Sequence, residues 1–213
     1  SYQLTVEGAG TVAFPANASG IVVNNADGLL KMDGSGSTLG AAQVTAVSNT
    51  GKGVQVHKSS TISSLKVAAN TNLDIYSYKT FSGSTEVADG TTLTLNGQGT
   101  LGSTLNLEGT LELGTEVTVS GLISVAGDSS ISFGLGTSTL FYSGGDLNVG
   151  SHTLSIVGAG RFANDNASPF VLDLPDSILD LTGSGTVTGS VKLEAGTLKA
   201  SGSPTISGDI TQY

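Results

Sequence analysis

Asp173, Asp176 and Asp180 stand within eight residues of one another, with Arg161 a short distance upstream. Clustered carboxylate oxygens can hold calcium, and two carboxyl groups at the right separation can cleave a glycosidic bond. Asp173 sits between Leu172 and Leu174 and reads as an outward residue of a strand, whereas Asp176 follows Pro175 in a turn. These three aspartates are the candidate metal or acid-pair site. His57 and His152 are the only histidines, neither has a neighbour at ligand spacing, and cysteine is absent, so the pattern does not point to zinc. Both read as turn or surface residues.

The glycine-rich strings GAGTVAF and GSGSTLG lack the Lys-Ser/Thr ending of a phosphate loop. Gly144, Gly145 and Asp146 form one unrepeated fragment of a calcium-binding nonapeptide, a pattern that more often makes a tight turn. No cofactor is expected. Tyr76 and Tyr78 are the candidate binding residues, because exposed aromatic pairs stack on sugars and anchor interfaces. Sequons at Asn17 and Asn166 would matter only in a glycosylating host, and Pro169 close behind the second disfavours its use.

The elements that must position these residues are legible between residues 91 and 127. Leu95, Leu101, Leu107, Leu113, Val119, Val125 and Ile131 recur every six positions. Leu93, Leu105, Leu111, Val117 and Ile123 precede five of them by two. Each pair is a minimal strand whose members share one face, with Thr94, Asn106, Glu112, Thr118 and Ser124 facing the other way. Helices do not tolerate glycine at this density, and the strands of an ordinary sandwich are longer.

Three such strands per coil give a repeat of roughly 18 to 24 residues, about ten coils and a rod near 50 Å long. Looser copies flank the regular stretch: Leu4 with Val6, Val54 with Val56, Leu73 with Ile75, Leu154 with Ile156, Leu179 with Leu181 and Val191 with Leu193. The expected fold is therefore all-β, a single-domain parallel β-helix (β-solenoid) over residues 1–213. Excursions from the rhythm are expected near 74–90 and near 160–180, where Pro169 and Pro175 interrupt any ladder. The ends, with Tyr2, Leu4 and Val6 at one and Ile206, Ile210 and Tyr213 at the other, keep strand alternation and show no amphipathic or charged cap.

The strings TTLTLNGQGTL, GTLELGTEVTV and GSVKLEAGTL resemble the passenger and filamentous-haemagglutinin repeats of bacterial surface adhesins, over residues 85–213. That resemblance implies a right-handed parallel β-helix. The six-residue spacing is also similar to left-handed hexapeptide helices of acyltransferases, but their small residue after each aliphatic is not kept. Lyases and glycosidases on the β-helix scaffold need a carboxylate cluster with an Arg or Lys base, or paired acids near a His. Here Arg161 stands alone.

Composition narrows the function classes. The 213 residues carry 31 glycines, 4 prolines, no tryptophan and 5% aromatics, so the interior must be thin and aliphatic. Eight basic residues face 17 acidic ones, a formal charge of -9. Between Lys79 and Lys192 the sole cation is Arg161, against eleven carboxylates. Nucleic acid is an unfavourable partner for such a surface. Membrane spanning is not expected, because no run of about 18 apolar residues exists. With no signal peptide at Ser1, the chain reads as a mature protein or an excised segment. The absence of cysteine permits export without disulfides.

The leading expectation is an extracellular or cell-surface structural module, not an enzyme. It would be a segment of an adhesin or a subunit stacking end to end into a filament. Its partners would be copies of itself or host and cell-surface polymers, possible carbohydrate among them. The alternatives are a carbohydrate-binding or polysaccharide-degrading β-helix and an ice-binding protein, the last from Thr92 with Thr94, Thr137 with Thr139 and Thr186 with Thr188.

Overall fold

A computed structural model describes residues 3–8, 11–12, 20–24, 28–45, 53–164 and 169–213. Every strand pairing among them is parallel, and the described residues contain no helix. The chain is a β-solenoid. Its first face is a ladder of ten strands: Gln3–Val6, Leu29–Met32, Gly53–Val56, Thr71–Ile75, Thr92–Asn96, Thr110–Leu113, Ser129–Phe133, Thr153–Gly158, Ile178–Gly183 and Thr197–Gly202. At about 4.8 Å per interval this ladder is about 43 Å long.

The second face runs alongside, with Thr100–Leu101, Glu116–Val119, Thr139–Tyr142, Arg161–Asn164, Thr186–Thr188 and Thr205–Ser207 in succession. Three longer strands, Thr38–Val44, Ser60–Val67 and Thr80–Val87, pass from the second face into the third. Thr80–Val87 pairs at its start with Thr100–Leu101 and at its end with Leu105–Leu107. Leu105–Leu107 then pairs with Ile123–Val125. The third face is completed by Leu147–Asn148, Phe170–Leu172, Val191–Leu193 and Ile210–Gln212.

The six-residue spacing maps onto these three faces in rotation. Leu95, Leu101 and Leu107 lie on the first, second and third faces, and Leu113, Val119 and Val125 repeat the cycle one rung on. All six are buried. Each fully buried aliphatic side chain contributes about 1.5–3 kcal/mol relative to exposure, which is why so thin a core can order so much backbone. The repeat length is less uniform than the 18 to 24 residues read from the sequence. Leu93 pairs with Leu111, whereas Leu4 pairs with Leu30, a step of 26.

Leu30, Val54, Leu73, Leu95, Leu113 and Phe133 stack as one inward column. Beyond Phe133 that column continues as Gly158, Gly183 and Gly202. A Cβ at Gly160 would lie 2.5 Å from the Phe133 ring, so the missing side chains make room for it. Of the other buried aromatics, Phe81 lies beside Leu101 near the middle of the rod, and three more gather in the same half as Phe133. Tyr142, Phe162 and Phe170 are fully buried, with successive ring centroids 6.0 and 5.1 Å apart. The core is therefore mostly aliphatic with a cluster of aromatics in its later half, a local thickening the composition does not reveal.

The segments expected to leave the ladder largely stay in it. Between 74 and 90 the strand Thr80–Val87 is one of the longest, and the departure shrinks to the turns around 76–79 and 88–91. Between 160 and 180, Arg161–Asn164, Phe170–Leu172 and Ile178–Gly183 are all ladder strands, while 165–168 lie outside the described residues. Pro169 immediately precedes a strand and Pro175 sits in the turn closed by the Ser177 N–H donating to the Leu174 carbonyl. Neither proline is asked to donate inside a ladder. Asn17 and Asn166 also lie outside the described residues.

Candidate functional site

The alternation that buries Val54, Val56, Leu73 and Ile75 turns Gln55, His57, Asp74 and Tyr76 outward on the first face. Parallel register then places Gln55 beside Asp74 and Asp74 beside Asn96 on three consecutive rungs. Gln55 Nε2 donates to Asp74 Oδ2 at 3.5 Å, and the Asn96 side chain also hydrogen-bonds the carboxylate. His57 Nε2 lies 3.3 Å from Gln55 Oε1. The His57 ring packs against Tyr76 with centroids 4.0 Å apart and the planes tilted by 41°. Burial among these neighbours pushes the Asp74 carboxyl above its ordinary value, although both amide hydrogen bonds and His57 work the other way.

Tyr76 also begins the turn at the end of this strand, where its carbonyl accepts from the Lys79 N–H. Tyr78, inside that turn, has a φ of 62°. This left-handed conformation costs an L-residue with a side chain about 1–2 kcal/mol. Its ring is 96% exposed, against 45% for Tyr76. The structure thus brings both predicted tyrosines to one corner. Sequence reasoning missed Gln55, Asp74 and Asn96 and read His57 as isolated. The available signal was alternation, since each stands beside a buried aliphatic.

The three aspartates are not brought together. Asp173 Oδ2 accepts from Asn148 Nδ2 at 3.2 Å at the end of a third-face strand, and its Oδ1 is buried without a hydrogen-bond partner. Asp176 is exposed in the turn. Asp180 points outward on the first face, in register with Ser155 and Lys199. Among the described residues no group of three or more His, Asp or Glu side chains is placed to hold a metal ion. A shallow groove elsewhere is lined by Asp89, Glu108, Asp128 and His152, but the Asp128 carboxylate is already engaged by the Thr153 N–H at 2.8 Å. The threonine rank of Thr80, Thr100 and Thr118 stops at Phe141.

The predicted end residues fall on the outermost rungs. Leu4 is 45% exposed over the fully buried Leu30, and Val6 is buried beside Met32. Tyr2 lies outside the described residues. At the opposite end, Ile206 pairs with Val187 and Ile210 with Val191. Ile210 is 52% exposed although Val191 beneath it is 1% exposed. Tyr213 is exposed, with Lys192 Nζ 5.3 Å from its ring centroid. No helix among the described residues is long and apolar enough to cross a membrane. No protein-family model, curated protein or solved structure matches this chain.

Proposed function

We propose that this chain is an extracellular structural or adhesive β-solenoid of the surface-adhesin type, either a segment of a longer rod or a subunit that lengthens by stacking copies end to end. One observation carries the reading. The strands Thr197–Gly202, Thr205–Ser207 and Ile210–Gln212 each have a ladder partner on one side only among the described residues. Their inward residues Leu198, Ile206 and Ile210 continue columns that are sealed one rung below by Leu179, Val187 and Val191. A further parallel rung would pair the open backbone groups and bury those side chains together. That rung can come from more of the same ladder or from a second copy, since an open edge without a polar cap is a pairing surface in either case. A second copy presenting its Gln3–Val6 edge makes a heterologous contact that repeats without closing, which is the geometry of a filament. The acidic, glycine- and threonine-rich surface supports a location outside the cell or on its surface.

Sedimentation velocity and negative-stain microscopy over a concentration series test this. Rods in multiples of one unit length are expected, reduced to single units by Ile206→Lys combined with Ile210→Lys. Uniform single rods at every concentration would remove the end-to-end reading.

A further inference from the structure

Among the described residues, every left-handed backbone position is a glycine except Tyr78. Glycine fills such a position freely, so Tyr78 holds an unfavourable conformation while its ring gains no burial. A strained residue that does nothing for packing is where function is to be sought. Next to it, Tyr76 offers a second partly exposed ring, braced from behind by His57. The adjoining row of Gln55, Asp74 and Asn96 alternates amide and carboxylate at the rung spacing, about 4.8 Å. That spacing is close to the length of one hexose unit along a polymer. The row's mutual hydrogen bonds hold the side chains in place before any ligand arrives.

We propose that this corner binds a neutral polysaccharide chain lying along the rod. Sugar hydroxyls need donors and acceptors in alternation, which amides and a carboxylate supply, and the apolar faces of the rings need aromatic platforms, which the tyrosines supply. The charge of the chain as a whole selects a neutral polymer over an acidic one. At the corner itself Lys31 is paired with Asp33 at 2.7 Å, and Lys58 also acts on Asp33. The rest of the chain is strongly acidic and repels a polyanion. This assignment is independent of end-to-end stacking, since a single rod carries the whole corner.

The test uses the full chain with three neutral linear hexasaccharides, cellohexaose, xylohexaose and laminarihexaose, and an oligogalacturonate as the acidic comparison. Calorimetry is expected to give a Kd below about 1 mM for at least one neutral probe. Tyr78→Gly should then weaken that binding at least tenfold while raising Tm by about 2–4 °C, because it relieves backbone strain. Gln55→Ala should weaken binding with Tm nearly unchanged. The proposal is overturned if no neutral probe binds, if Tyr78→Gly binds as well as the parent, or if the oligogalacturonate binds more tightly than every neutral sugar.

Discussion

Gly158 and Gly183 occupy the same corner on adjacent rungs, and a Cβ on Gly183 would lie 2.5 Å from the Gly158 carbonyl oxygen. With a φ of +115° at Gly183, alanine there meets both a clash with backbone and a strained conformation. Gly183→Ala is expected to cost about 2–4 kcal/mol. Gly90 provides the control, since it is also left-handed but has nothing within 4 Å of its would-be Cβ. Gly90→Ala should cost only about 1 kcal/mol. Urea denaturation of the two variants measures the difference, and equal losses would contradict the stacked-corner explanation.

The columns of the core make a similar contrast. Leu111 is fully buried between Leu93 and Ile131, while Leu174, in the turn after a third-face strand, is 43% exposed. Leu111→Ala should lose about 2–5 kcal/mol through transfer and cavity terms. Leu174→Ala should stay within about 0.5 kcal/mol of the parent. Chemical denaturation midpoints report both.

These contrasts show what the sequence made legible. Leu95 to Val125 recur at six because three short strands share one 18-residue coil, so face, burial and parallel pairing could all be read from that stretch, whereas at Ile131 the coil lengthens to 20 and that residue pairs with Leu111. The row Gln55–Asp74–Asn96 was hidden because its steps are 19 and 22 residues, set by turns of unequal length that no constant period reveals. The same irregularity misled the reading of Asp173, Asp176 and Asp180. They are close along the chain, but a corner intervenes and sends them to different faces. Tyr78 was singled out for its ring, whereas its unusual feature is its backbone, which residue type alone would assign to glycine or asparagine.

Tyr142 is the largest fully buried side chain, and its hydroxyl accepts a long hydrogen bond, 3.4 Å, from the Ile123 N–H. Burial pushes the Tyr142 hydroxyl above its usual range, so it remains a neutral phenol. Tyr142→Phe leaves that amide without its partner and is expected to cost about 1 kcal/mol. The diagnostic readout is amide hydrogen exchange, which should accelerate at Ile123 more than at Leu101 or Val119.

Lys66 and Glu86 face each other across adjacent rungs at 2.6 Å, each side chain more than two-fifths exposed. Such an exposed pair contributes only marginally to stability and is screened by salt. Lys66→Gln should lower stability only slightly at low ionic strength, and the difference from the parent should fade in about 1 M salt. A loss that persisted at high salt would point to packing by the lysine stem instead of charge.

Asp33 and Asp74 should respond to pH with opposite signs. The hydrogen bond from Lys31 holds Asp33 below its ordinary value of 3.8, so its contribution is present above 3.8 and is lost as pH falls through its folded value. Burial raises Asp74 above that same 3.8, so ionising it in the folded chain carries a penalty that is complete above the raised value and absent below 3.8. Asn cannot ionise and keeps an acceptor oxygen for the Gln55 amide. Asp74→Asn is therefore expected to raise Tm at pH 7, with the gain shrinking as pH falls from the raised value towards 3.8 and gone below it. Asp33→Asn should lower Tm at pH 7 and converge on the parent in acid. Thermal melts of both variants from pH 3 to pH 7 decide the matter. An Asp74→Asn protein less stable than the parent at pH 7 would mean that the hydrogen bonds to the carboxylate outweigh the cost of burying it.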